Sequence, residues 1–140
     1  MTPFMICTGS WDELQNDAKL IREQVFIQEQ NIPVAEEWDA QDAVSLHFAV
    51  YDQNQPIATA RLLQNNSIGR VAVLKSHRGL GIGKLLMQAI IEQAKSEQRE
   101  FLKLSSQVYA IQFYAGLGFQ VQGDEYLDCG IPHIDMYLKL

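Results

Sequence analysis

Between residues 71 and 84 the chain reads VAVLKSHRGLGIGK, with Gly79, Gly81 and Gly83 at alternate positions, Arg78 ahead of them and Lys84 behind. Glycine costs backbone entropy, so three of them between two ordered segments mark a place where something approaches the main chain closely. The residues before the loop are branched and apolar; after it, Leu85, Leu86, Ala89 and Ile90 recur at helical spacing. A strand that runs through a glycine loop into a helix presents unpaired amide hydrogens and partial positive charge at the helix start. The chemistry this predicts is the binding of a phosphate anion.

Spacing separates the known loops of this kind. A Walker A loop has four residues between its first glycine and its Gly-Lys, then Ser or Thr; here Gly79 and Gly83 are separated by Leu80, Gly81 and Ile82, and Leu85 follows Lys84. A dinucleotide fingerprint needs GxGxxG and an acid about 20 residues on. GLGIG has the wrong final spacing, and Phe101 and Leu102 stand where that acid belongs. The other reactive side chains are dispersed. His47 and His133 lie in strand-like segments, where a histidine is either a hydrogen-bonded structural group or a proton carrier. A metal site built from His47, His133 and Asp39 lacks any short ligand spacing, and Cys129 has no evident activating partner.

The elements that must position these groups are legible from periodicity. FMICT reads as a short strand, and Ser10 with Glu13 forms a capping box that opens a helix over about Trp11 to Gln28, with Leu14, Ala18, Ile21 and Val25 as its buried stripe. The stretch NIPVAEEWDAQD, with Pro33 and the acids Glu36, Glu37, Asp39 and Asp42, is too long for a tight turn and reads as a functional loop. Leu46 to Tyr51, Pro56 to Leu63 and IGRVAVL predict three strands of an antiparallel meander. A helix over about Gly81 to Glu97 then leads into the strand EFLKLSSQ, and a strand, crossover helix, strand order predicts parallel pairing. YAIQFYAGLG is a short helix closed by Gly118, followed by strands FQVQGDE and HIDMYLKL.

Composition sets the frame. A chain of 140 residues with 47% hydrophobic and 20% charged residues is expected to form a single globular domain spanning 1–140. Burial of roughly two thirds of the unfolded surface at this length needs neither disulfide nor structural metal, so Cys7 and Cys129 are expected to be free thiols of a cytoplasmic protein. The opening MTPFMICTGSWDEL has no basic region or long apolar run, and no stretch approaches a membrane span. A net charge of −6 argues against a nucleic-acid surface and favours cationic small molecules or basic peptide segments.

RGLGIG at residues 78–83 resembles the pyrophosphate loop, R/Q-x-x-G-x-G/A, of the GNAT superfamily of acyl-CoA-dependent N-acyltransferases, and FYAGLGF about 30 residues later resembles that family's tyrosine helix. VFIQEQNIP, WDAQD, LHFAVYD, TARL and GIPHIDM resemble the ElaA/YjcF-like branch. The resemblance implies an α/β (α+β) fold: a mixed, mostly antiparallel sheet with a parallel pair at the cofactor cleft and helices on both faces. It implies acetyl-CoA as co-substrate, with no metal. Val71, Ala72 and Val73 would run along the pantetheine arm as a sheet partner does. Arg78, Gly79, Leu80, Gly81, Ile82, Gly83 and Lys84 would hold the pyrophosphate. Gln107 stands where many members have Asn near the pantetheine.

Tyr114 reads by itself as a core aromatic; the resemblance makes it the acid that protonates the departing thiolate, with Phe113 packing beside it. Glu29 at the end of the first helix is the candidate base. Phe26, Glu29, Gln30, His47 and His133 are the expected acceptor pocket. The implied reaction is acetyl transfer to a small-molecule or peptide amine by direct attack on the thioester. The alternative is a catalytically weak CoA-binding sensor or interaction module. GNAT-like domains often pair through terminal strands, which makes a homodimer an expectation as well.

Overall fold

The computed structural model describes residues 4–140. Seven strands form one sheet in the order β1-β2-β3-β4-β5-β7-β6, where β1 is Met5–Gly9, β2 Leu46–Asp52, β3 Gln55–Leu62, β4 Ser67–Val73, β5 Phe101–Gln107, β6 Gln120–Asp128 and β7 Ile131–Lys139. All neighbours are antiparallel except β4 and β5. The predicted meander and the predicted parallel pair are both present.

Helices cover both faces. On one, α1 (Trp11–Arg22) packs Ile21, with Val25 and Phe26 beyond it, against Ala72 of β4. On the other, α3 (Ile82–Ser96) and α4 (Ile111–Ala115) bring Leu86, Met87, Ile90 and Tyr114 against Phe48, Val50, Leu102 and Met136. The predicted capping box is formed: Ser10 Oγ accepts from the Glu13 amide at 3.3 Å, and the Ser10 amide donates to Glu13 Oε1 at 3.0 Å.

Two irregularities shape the cleft. The first helix is α-helical only to Arg22 and continues as a π-helical segment over Glu23–Glu29, where periodicity alone predicted one regular helix to Gln28. The wider turn shows in the Gln30 amide, which donates to the Val25 carbonyl at 3.2 Å. Such insertions re-aim the residues that follow, and here Phe26, Glu29 and Gln30 line one cavity.

The second irregularity is in β4. Its register against β3 passes from Thr59↔Ala72 to Arg61↔Gly69, so one extra residue is accommodated. Arg70, with φ of 52°, is the non-glycine residue that takes this left-handed bulge, which bends and twists the strand. Below the bulge β4 pairs with β5 only through Ser67↔Lys103 and Ile68↔Leu104. Beyond Ile68 the two strands part, and the gap between them is the mouth of the cleft.

The acidic loop is not the solvated loop its composition suggests. Short helix α2 (Val34–Glu37) leads into it, and Glu37 and Asp42 are 2% and 3% exposed. They are balanced by Arg22, itself 1% exposed.

Candidate active site

The cleft encloses about 690 Å³ and opens between β4 and β5, with the π segment, α4 and the β6–β7 turn around it. Val71, Ala72, Val73, Arg78, Gly83, Gln107 and Phe113 line it. Gly79, Leu80, Gly81, Ile82 and Lys84 form the loop and helix start beside it; Ile82 turns its side chain into the core at 1% exposure. The amides of Ile82, Gly83 and Lys84 precede the first intrahelical bond of α3, from the Leu85 amide to the Gly81 carbonyl at 3.0 Å. They carry the positive end of a four-turn helix to the cleft.

The three glycines have different reasons to be there. Gly79 and Gly81 have φ of 80° and 79° and open space around an added Cβ, so backbone conformation selects glycine. At Gly83 a Cβ would stand 3.3 Å from Phe113 Cζ. There the selection is for the approach of α4 to α3, which places Tyr114.

Tyr114 is 9% exposed and meets Phe113 and Phe119 edge-on at 5.0 and 6.1 Å. It lines the cleft, and its hydroxyl is not among the sealed polar atoms. Burial pushes its pKa up to about 12, so the phenol keeps its proton at neutral pH and can act as a donor. Gln107 is paired with Gln30: its Nε2 donates to Gln30 Oε1 at 2.8 Å. This pair ties the end of β5 to the residue after the π segment.

Glu29 and Arg78 face each other across the cleft edge, with guanidinium-to-carboxylate distances of 2.9 and 2.8 Å. Arg78 Nε also donates to the Val73 carbonyl at 3.0 Å. His133 joins the cleft, with Nδ1 2.7 Å from the Ile131 carbonyl.

His47, expected at the acceptor pocket, is a correction. Its side chain leaves β2 on the α1 face, 1% exposed, with Nε2 2.8 Å from the Asp42 carbonyl and its ring 4.7 Å from Trp11. Its place in β2, two strands from β4 in the sheet order, keeps it out of the cleft between β4 and β5. Burial lowers its pKa, so it is neutral in the folded protein.

Sequence reasoning missed the buried ion cluster behind the cleft. Arg22 binds Glu37 Oε2 and Asp42 Oδ1, both at 2.7 Å; Arg61 binds Asp39 at 2.7 Å and Asp42 at 2.9 Å. Arg70 of the bulge reaches Glu37 at 3.3 Å and Asp39 at 3.2 Å. The hydrogen bond from Arg61 holds Asp39 down to about 2. At Asp42 burial opposes ionisation, but Arg22 and Arg61 outweigh it and lower its pKa; at Glu37 burial prevails and raises it. The available signal was arginine at residue 61 inside an otherwise uncharged strand.

Comparison with known proteins agrees with this geometry. The model of the acetyltransferase (GNAT) domain matches residues 14–140, and the chain belongs to that family. Within it, the chain falls in the ElaA/YjcF-like branch. The uncharacterized N-acetyltransferase YjcF of Bacillus subtilis is 38% identical over 129 residues, 89% of this chain and 92% of its own. Escherichia coli ElaA superposes with a TM-score of 0.88 at 26% identity, over 97% of this chain and 99% of its own. An acyl-CoA N-acyltransferase from Pseudomonas aeruginosa gives 0.88 at 28%, over 97% and 99%. Among the described residues no group of three or more His, Cys, Asp or Glu is arranged to hold a metal, and no helix is long and apolar enough to cross a membrane.

Proposed function

We propose that this chain transfers the acetyl group of acetyl-CoA to a primary amine of a small molecule or peptide, by direct attack of the amine on the thioester. The observation that carries this is the junction of two features in one cleft: an unpaired stretch of β4 beside the open N-terminus of α3, and the protonated Tyr114 hydroxyl on the same wall. A diphosphate fits the amides of Ile82, Gly83 and Lys84. The main-chain edge at Val71 and Val73, where only Arg78 reaches the Val73 carbonyl, fits an amide-bearing arm, and an amide hydrogen there suits the thioester oxygen as it gains charge.

Tyr114 then meets the sulfur as a proton donor. Glu29 holds Arg78 at the rim, and that guanidinium, at the start of the loop, is able to add charge-assisted bonds to phosphate. Phe26, Gln30 and His133 stand on the acceptor side.

The test is a thiol-release assay with acetyl-CoA over a panel of primary amines, beside Tyr114→Phe. The expected result is turnover with at least one amine and a fall in kcat of about 100-fold in the variant, its CoA affinity unchanged. Tight CoA binding with no turnover on any amine would replace this reading with that of a CoA-binding sensor.

A further inference from the structure

We propose that His133 is the base that takes the proton from the acceptor nitrogen, and that the β6–β7 turn fixes the tautomer this requires. The inference rests on the acyl-transfer reading above. His133 sits near the start of β7, opposite Gln107 of β5 and Tyr126 of β6 in register. The side chain is 9% exposed and lines the cleft.

Its two ring nitrogens are not equivalent. Nδ1 is 2.7 Å from the Ile131 carbonyl. A carbonyl only accepts, so Nδ1 bears the proton and the neutral ring keeps its lone pair on Nε2. That atom has no protein partner. Because Arg61 Nε is the one sealed and unpartnered side-chain nitrogen or oxygen among the described residues, Nε2 is open, and the space the ring lines is the cleft. The ring is also held by its face: Tyr126 stacks on it at 6.1 Å and 23°. Tyr126 is itself fixed by Ser105 and, at 2.7 Å, by Asp135.

The rival bases of the cleft other than Asp128 are engaged. Glu29 is held through both oxygens by Arg78, Glu37 by Arg22 and Arg70, and Glu36 accepts from Cys129 Sγ at 2.5 Å. That bond pushes the Cys129 thiol up to about 11, so it is protonated and no base either. Asp128 stands exposed at the turn. The titratable and charged groups that share the cleft with the ring are Asp128 of β6, Cys129 of the turn, and Glu29, Glu36, Glu37, Arg70, Arg78, Tyr109 and Tyr114 elsewhere on its wall, while Tyr126 of β6 stacks on the ring itself.

The step balances as follows. The neutral amine forms the C–N bond with its lone pair, and the carbonyl π pair moves to oxygen. His133 Nε2 takes a proton from the cationic nitrogen. On collapse the C–S bond breaks with its pair on sulfur, and sulfur takes the Tyr114 proton. The imidazolium proton returns to the phenolate through solvent, so amine and thioester become amide and thiol with both residues restored.

The experiment compares wild type, His133→Ala and His133→Gln with acetyl-CoA and whichever panel amine wild type acetylates fastest. Expected is a fall in kcat/KM of about 100-fold in both variants with CoA affinity kept within about twofold. The deficit should narrow as pH rises and hydroxide takes over the proton transfer from the cationic nitrogen, and added imidazole should restore part of the rate to the alanine variant. Retention of rate within about threefold over roughly pH 6 to 9, or a loss that neither pH nor imidazole relieves, overturns the assignment.

A wild type that binds CoA but acetylates nothing removes the acyl-transfer reading and this inference together; an active wild type with active variants removes only the inference. Should the variants not fold, nitrogen NMR of the wild-type histidines decides: Nε2 of His133 bearing the proton in the neutral ring overturns it.

Discussion

The two walls of the cleft are built by different means. The wall proposed for the cofactor is main chain, contributed by β4, the glycine loop and the start of α3 within residues 67–84. The wall proposed for the acceptor is backed by side chains: Arg22 of α1, Glu37 of α2, Asp39, Asp42, Arg61 of β3 and Arg70 of β4, gathered from across almost fifty positions. Peptide dipoles at a helix start need no buried ion to hold them in place. Three guanidiniums and three carboxylates do need one another, because desolvation of each charge is offset only by its partners.

That difference sets the largest expected effect. Arg22→Met leaves Glu37 and Asp42 without their 2.7 Å partner at 1% exposure. Removing one member of a buried pair costs about 3–5 kcal/mol, and urea unfolding should report a loss of that size. A loss below about 1 kcal/mol, the value of an exposed pair, would mean the acceptor wall is not held by its ions.

The next effect belongs to the other wall. At Gly81, φ of 79° with nothing within 4 Å makes alanine a pure backbone penalty, about 1–2 kcal/mol, felt at the helix start and therefore in acyl-CoA affinity. At Gly83 alanine gains about 1 kcal/mol of helix propensity against a 3.3 Å contact with the Phe113 ring, so its net cost should be smaller than at Gly81. Equal costs in thermal denaturation would show that one cause governs both glycines.

The same contrast explains what could be read from sequence. The cofactor wall was legible because its signals are local: a strand, alternating glycines and a helix in one run of residues, with the parallel pair implied by the crossover. The acceptor wall was not. Glu36, Glu37, Asp39 and Asp42 look like a solvated loop until Arg22, Arg61 and Arg70 are brought to them, and residue spacing does not encode that pairing. The π segment was hidden for a related reason. Leu14, Ala18, Ile21 and Val25 fit a regular helix, and the insertion is required only by where Phe26, Glu29 and Gln30 must point. His47 and His133 both lie in strands, and only their places across the sheet, in β2 and β7, separate them.

Acid should loosen the ion-built wall in two stages. His47 has a folded pKa below its unfolded value near 6.5. Its contribution is complete above that pH and is lost as pH falls through the lowered value. Asp39, held at about 2 against 3.8 unfolded, contributes fully above 3.8 and loses this as pH drops through about 2. With its side chain 37% exposed, that second stage is worth about 1 kcal/mol. Glu37 runs the other way: its raised pKa is a cost once ionised, and protonation relieves it. Melting temperature should therefore decline below about pH 6.5 and again below about 4. The first decline should vanish in His47→Gln, and its persistence there would assign it to another group.

The smallest effect on stability is expected at the exposed ion pair that joins the glycine loop to the π segment. Arg78 and Glu29 have side chains 42% and 33% exposed, so Arg78→Met should change stability by less than about 1 kcal/mol. Its consequence lies in binding. Arg78 holds the Val73 carbonyl at 3.0 Å as well as Glu29, so the free protein keeps this guanidinium occupied by groups that acyl-CoA would replace. Losing its phosphate bonds while also losing that competition should leave a net weakening of acyl-CoA binding of about 1 kcal/mol, roughly fivefold in Kd. Glu29→Gln keeps the guanidinium and removes its strongest competitor, so it should bind acyl-CoA more tightly than wild type, with the gain fading at high salt. Opposite signs from two variants of one pair are the outcome that a merely structural bridge cannot give; weakening by both would show that Glu29 and Arg78 act on the ligand only as a unit.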